Sequence, residues 1–142
     1  MGIILDLKNA IRDSIYALDD TMNFNFEEIK VAEFPYVFFY IPNYEVIEPI
    51  DNTRLSELNL SCVLEYASEE NPNNADLWAY EEIFRKATKN FAFYNTKYSA
   101  QNAAFKLVDG VLQMTFDLTL WVKKVDETEL MQELYFSFKD AL

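Results

Sequence analysis

The chain has no histidine, one cysteine, two glycines and four prolines in 142 residues. Each scarcity excludes something. Without histidine, the commonest general base and the commonest metal ligand are gone. With Cys62 as the lone thiol, neither an intrachain disulfide nor a zinc site of the usual kind can form. Glycines stand only at positions 2 and 110, so no glycine-rich loop can cradle a phosphate. A single cysteine also suits a reducing compartment. No run of about 18 apolar residues occurs, so no helical membrane span is expected. The start, Met1-Gly2-Ile3-Ile4-Leu5, lacks a basic region, and Asp6 interrupts it, so no signal peptide is expected.

Basic charge is scarce as well. Twelve Lys and Arg face 24 Asp and Glu, for a net charge of −12. A nucleic-acid binder needs a basic stripe to neutralise phosphates. Here basic residues occur singly or as the pair Lys123-Lys124. The same deficit disfavours an anionic membrane surface.

What is present is enough for a core. Half the residues are apolar and 16% are aromatic, which argues against disorder and fits one domain over residues 1–142. Ile4, Leu7, Ile11, Ile15 and Leu18 recur at helical spacing and predict a helix from Ile3 to Asp19. A short strand is expected over Ile29–Phe34, broken by Pro35. Tyr36–Ile41 reads as a strand buried on both faces and ended by Pro42. Pro42 to Arg54 reads as a long loop or loose hairpin extension. It carries Tyr44, Val46, Ile47 and Ile50, either to cover a partner or to pack as a flap on its own domain. Leu58, Leu60, Cys62, Leu64 and Tyr66 alternate with mostly polar neighbours, a half-buried strand with one wet face. That places the Cys62 thiol in the core, where its pKa should rise.

A second helix is expected over Ala75–Lys89, with a buried stripe of Leu77, Tyr80, Phe84 and Ala87 and a cap from Asn73, Asn74 or Asp76. Asn90–Asn102 is polar and aromatic, without a clear period. Asp109-Gly110 between alternating runs predicts a two-residue hairpin turn. Closing it pairs Val108 with Val111, Lys106 with Gln113 and Phe105 with Met114, and gathers Phe105, Leu107, Leu112 and Met114 on one face. The second strand continues through Phe116, Leu118, Leu120 and Val122, with Thr115, Asp117, Thr119 and Trp121 on its other face. Asp126 and Glu129 stand in capping-box positions, and residues 133–139 fit either helix or strand. The expected architecture is α+β: an antiparallel sheet with two helices packed on one face.

Adjacent carboxylates occur at Asp19-Asp20, Glu27-Glu28, Glu69-Glu70 and Glu81-Glu82. Their polar or helical contexts read as solvated charge rather than as acid–base pairs. The oxygen-rich run Glu69–Asp76 lacks the glycine and spacing of an EF-hand loop. No catalytic residue, cofactor or metal ligand emerges.

The order of elements resembles the phage tail terminator, or tail-to-head joining, proteins of long-tailed bacteriophages and prophages. The resemblance rests on the N-terminal amphipathic helix, the Phe34-Pro35-Tyr36-Val37-Phe38-Phe39 strand entry and the Leu58–Tyr66 strand before an acidic loop and helix. The Asp109-Gly110 hairpin and the Glu129–Leu134 stretch add to it. It implies a structural protein of the virion without enzymatic activity, present in the host cytoplasm during assembly. It implies a homohexameric ring that caps the tail tube, ends its polymerisation and meets the head-completion or connector protein, while genomic DNA passes through unbound. Tyr44, Val46, Ile47, Ile50, Arg54, Phe91, Tyr94, Tyr98 and Trp121 are the candidate interface residues, and acidic side chains would line the bore. The alternatives are a head-completion or neck connector, or an acidic adaptor or immunity-type binding module.

Overall fold

An apolar stripe at helical period drives α1, Ile3–Tyr16, which buries Ile4, Leu7, Ile11 and Ile15 in a computed structural model that describes residues 2–27, 33–47 and 55–123. The helix ends at Tyr16, short of the expected Asp19, and Leu18, expected in the stripe, is 48% exposed. The chain turns there because Asp19 accepts bonds from the backbone and hydroxyl of Thr21 at 3.0 and 2.6 Å, offering local partners outside the helix.

The strands are β1 (Asn23–Phe26), β2 (Tyr36–Ile47), β3 (Leu55–Ala67), β6 (Gln101–Val108) and β7 (Val111–Lys123), in the order β1-β2-β3-β7-β6. Three of the pairs are antiparallel and β1–β2 is parallel. Between β3 and β6 come α2 (Asn74–Ala79), α3 (Glu81–Ala87) and a small hairpin of β4 (Phe91–Phe93) and β5 (Thr96–Tyr98). Val37, Phe39, Leu58, Leu64, Met114 and Phe116 share one face of the sheet and join the buried stripe of α1, with Leu77 and Phe84, in a single core. The molecule is therefore α+β, with its described helices on one face of the sheet.

The Asp109-Gly110 hairpin closes in the expected register, Val108 with Val111 through Phe105 with Met114. Both turn residues have positive φ, 49° and 78°, as this turn requires. Several expectations are corrected. The strand before Pro35 is Asn23–Phe26, while residues 28–32 lie outside the described residues and Phe34 belongs to no strand. Phe24 and Phe26 pack on Phe39 at ring-centroid distances of 6.5 and 5.5 Å, and this contact makes a strand from a short, asparagine-rich segment. Tyr36–Ile41 buries only its Val37, Phe39 and Ile41 face fully.

Pro42 does not end β2. The register shifts between Tyr40 and Asn43, and a proline is tolerated at such a bulge because no ladder N–H is needed there. The neighbouring Ile41 N–H is taken by the Glu27 carboxylate at 2.8 Å. The expected second helix is two short ones that meet at Tyr80, and Asn73 caps the first by accepting from the Ala75 N–H at 2.8 Å. Tyr80 stacks on Tyr66 at 3.6 Å and donates to Asp19 at 2.8 Å, tying this helix pair to the end of α1. Burial, and next the bond to Asp19, push the Tyr80 hydroxyl above its ordinary pKa. The segment without a clear period contains the β4–β5 hairpin, turned by Tyr94 and Asn95 at φ 49° and 61°. The expectations for Asp126–Glu129 and for 133–139 fall outside the described residues.

Candidate interaction surface

β2, β3 and β7 are long strands of 12, 13 and 13 residues, and they run together to one end of the sheet. At that end the register places Ile47 opposite Glu57 and Glu57 opposite Trp121. Directly opposed residues share a face, so these three form a row on the face away from the helices. Ile47 is 42% exposed and Trp121 55%. A tryptophan on the wet side of an alternating strand is the kind of anchor that dominates protein contacts. The Tyr98 hydroxyl lies 3.5 Å from the Trp121 carbonyl, so the β4–β5 hairpin adjoins the same strand end.

The structure thus brings Ile47 and Trp121 together on one face, while Tyr98 packs against the core and reaches only the Trp121 backbone, and it separates the other candidates from them. Tyr44 and Val46 turn toward the core and pack against it. Phe91 is 3% exposed and anchors the hairpin to its own domain, so it offers nothing to a partner. Tyr94 is exposed at the hairpin tip, and its hydroxyl donates to the Asp6 carboxylate on α1. Ile50 and Arg54 lie outside the described residues.

The second feature is the helix-free face of the sheet. Its polar side chains bond to one another. Gln113 Nε2 donates to Glu65 Oε2 at 2.8 Å, and Asn59 Nδ2 donates to Glu57 Oε2 at 3.0 Å. Thr119 Oγ1 donates to Asn59 Oδ1 at 2.8 Å, and Asn102 Nδ2 to Asp117 Oδ2 at 3.0 Å. Burial, and next the Glu65 charge, raise the Tyr40 hydroxyl pKa. One register row, Asn43–Ser61–Asp117–Gln101, crosses four strands, with the bulges of β2 and β6 beside it. The face is concave there, a depression of about 280 Å³ lined by Asn43, Glu45, Asn59, Gln101, Asp117 and Thr119 among others.

The alternation of β3 and β7 revealed which residues lie on this face. The bonds between them follow from cross-strand register, which one strand's sequence does not carry. Cys62 is buried in the core, and burial raises its thiol far above the ordinary range, as expected from its position. Among the described residues no group of three or more Cys, Asp or Glu is placed to hold a metal ion. No described helix is long and apolar enough to cross a membrane.

The arrangement can make protein contacts at a strand end and present an acidic, internally bonded face. Residues 6–129 match the family model for phage tail terminator proteins. No curated protein matches the chain. The match covers most of the sequence and both surface features, and the chain belongs to the phage tail terminator family, structural proteins of the virion tail.

Proposed function

We propose that the protein caps the tail tube as a homo-oligomeric ring, six subunits by its resemblance, ends tube polymerisation and forms the tail side of the head–tail joint. The observation that carries this reading is the Ile47–Trp121 row. It sets two exposed apolar side chains on either side of Glu57 at a strand end of an otherwise strongly acidic domain of a tail family. Such a rim suits a neighbour met along the tail axis, the tube protein below or the connector above.

In this reading the helix-free face lines the bore. Glu45, Glu57, Glu65 and Asp117 lie on it, and the amides of Asn59, Asn102 and Gln113 turn to its own carboxylates. DNA carries dense negative charge, so such a wall repels phosphates and offers few free donors to hold them.

Two experiments test the reading. Trp121→Ala with Ile47→Ala removes two exposed side chains, so the domain should unfold within about 0.5 kcal/mol of the parent for each change. Its capping of purified tubes, read as tube length and as bound subunit, should weaken by at least about tenfold. Unchanged capping would remove the strand end from the contact. Glu45→Lys with Glu57→Lys should make DNA passage slower, with a delay that shrinks as salt rises. Ejection kinetics equal to the parent's at low salt would show that these carboxylates do not face the bore.

A further inference from the structure

The sheet has two edges, β1 and β6, and among the described residues neither pairs on its outer side. Their chemistry differs from that of the strands between them. On the helix-free face the carboxylates sit on β2 (Glu45), β3 (Glu57, Glu65) and β7 (Asp117), and none sits on β1 or β6. β1 reads Asn-Phe-Asn-Phe, with no charge, and turns its two phenylalanines to the core. β6 carries one charge, Lys106, and its first four residues are exposed, uncharged and include Ala103 and Ala104. Of the devices that ordinarily guard solitary edges, β6 has a lysine and a bulge and β1 is short, but neither edge carries a carboxylate or a proline.

In a subunit of net charge −12, copies repel one another wherever carboxylates meet. The edge strands are where two copies can approach without that repulsion. Small side chains at Ala103 and Ala104 let a second backbone come close. The geometry points to a lateral contact between copies in which β6 of one subunit lies against β1 of the next. This contact is heterologous, the type that closes into a ring. It rests on the ring reading given above. If the helix-free face lines a bore, each subunit's flanks are these two edges, and the acidic strands stay one strand away from every seam.

The test uses the full chain with cysteines at both edges, Asn25→Cys and Ala104→Cys, both on the helix-free face by register. Cys62 is 1% exposed, so it stays silent. With a short bis-maleimide crosslinker under capping conditions, the double variant should give a ladder of covalent multimers up to the ring, while each single variant stays monomeric on a denaturing gel. In parallel, Asn25→Glu with Ala104→Glu should raise the concentration needed for assembly by at least about tenfold. Rings that assemble normally in the Glu variant, with no ladder from the Cys variant, overturn the edge contact and leave the ring intact. A wild-type chain that stays monomeric in solution and on tubes, by light scattering and by microscopy, overturns the ring reading and the edge contact with it.

Discussion

Phe39→Ala should lower stability by roughly 3–5 kcal/mol, the range for truncating a fully buried aromatic side chain. Phe39 is fully buried in the first third of β2, and its ring meets Phe24 and Phe26 of β1. Truncation would leave a cavity bounded on one side by a four-residue parallel strand whose described attachment is four register pairs and these two ring contacts. Close-packed interiors relax only partly into such a gap, so the lost transfer energy and the cavity cost add. A domain of this size has about 5–15 kcal/mol in all, so the loss is a large share of it. In urea the midpoint should fall with little change in slope. Phe34→Ala is the control. Phe34 is 42% exposed and touches Tyr36 at 5.5 Å, so its removal should cost no more than about 1 kcal/mol. Equal losses in the two variants would mean that β1 is not held by the core. Because β1 is one of the two edges without a carboxylate, the Phe39 variant should also assemble poorly where folded subunit remains.

The elements that could be read from sequence are those whose own residues carry the reason for their shape. α1 has a stripe, and Asp109-Gly110 tolerates the positive φ that its turn demands. Trp121 declared itself by standing on the wet side of an alternating strand. The misread elements take their reason from elsewhere in the fold. Asn23–Phe26 is a strand because Phe39 lies beneath it, and the same tetrapeptide read alone looks like a polar exit from a helix. Pro42 looked terminal because a proline ordinarily breaks a ladder, and the bulge that admits it is completed by Glu27 from another strand's end. Tyr94-Asn95 forms the same type of turn as Asp109-Gly110 but with a tyrosine at φ 49°, a choice that local propensity disfavours. Phe91 and Trp121 are both aromatic; alternation sets Trp121 outward, while Phe91 is an anchor only because its hairpin packs on α1.

Glu27 is where the fold contradicts the simplest rule of placement, and its pH response should show it. The residue is 5% exposed at the end of β1, with φ 61°. Oε1 accepts the Ile41 N–H at 2.8 Å, and Oε2 has no hydrogen-bond partner among the described residues. Burial pushes the carboxyl pKa up to about 7 from 4.5, against the opposing pull of the Ile41 bond. The folded state therefore keeps a proton on Glu27 that the unfolded chain gives up, and the native state binds more protons between those two values. Stability from this group is complete below about pH 4.5 and is lost as pH rises through about 7. Its full size is at most roughly 3.4 kcal/mol.

Glu27→Gln keeps an oxygen for the Ile41 N–H and cannot ionise. The variant should exceed the parent by roughly 1–3 kcal/mol at pH 8, and the two should converge near pH 4. Comparing the pair at each pH cancels the titration of the other carboxylates, which a −12 chain would otherwise superimpose on the curve. Glu27→Ala should be destabilising at both pH values, because it orphans the Ile41 amide at the bulge. A Gln-minus-Glu difference that stays constant from pH 4 to pH 8 would mean that the carboxyl is solvated and that another acceptor holds the bulge. If the difference follows the expected course, the bulge that carries β2 past Pro42 to Ile47 depends on a carboxyl whose charge the fold resists. The strand end would then be held most firmly when Glu27 is neutral.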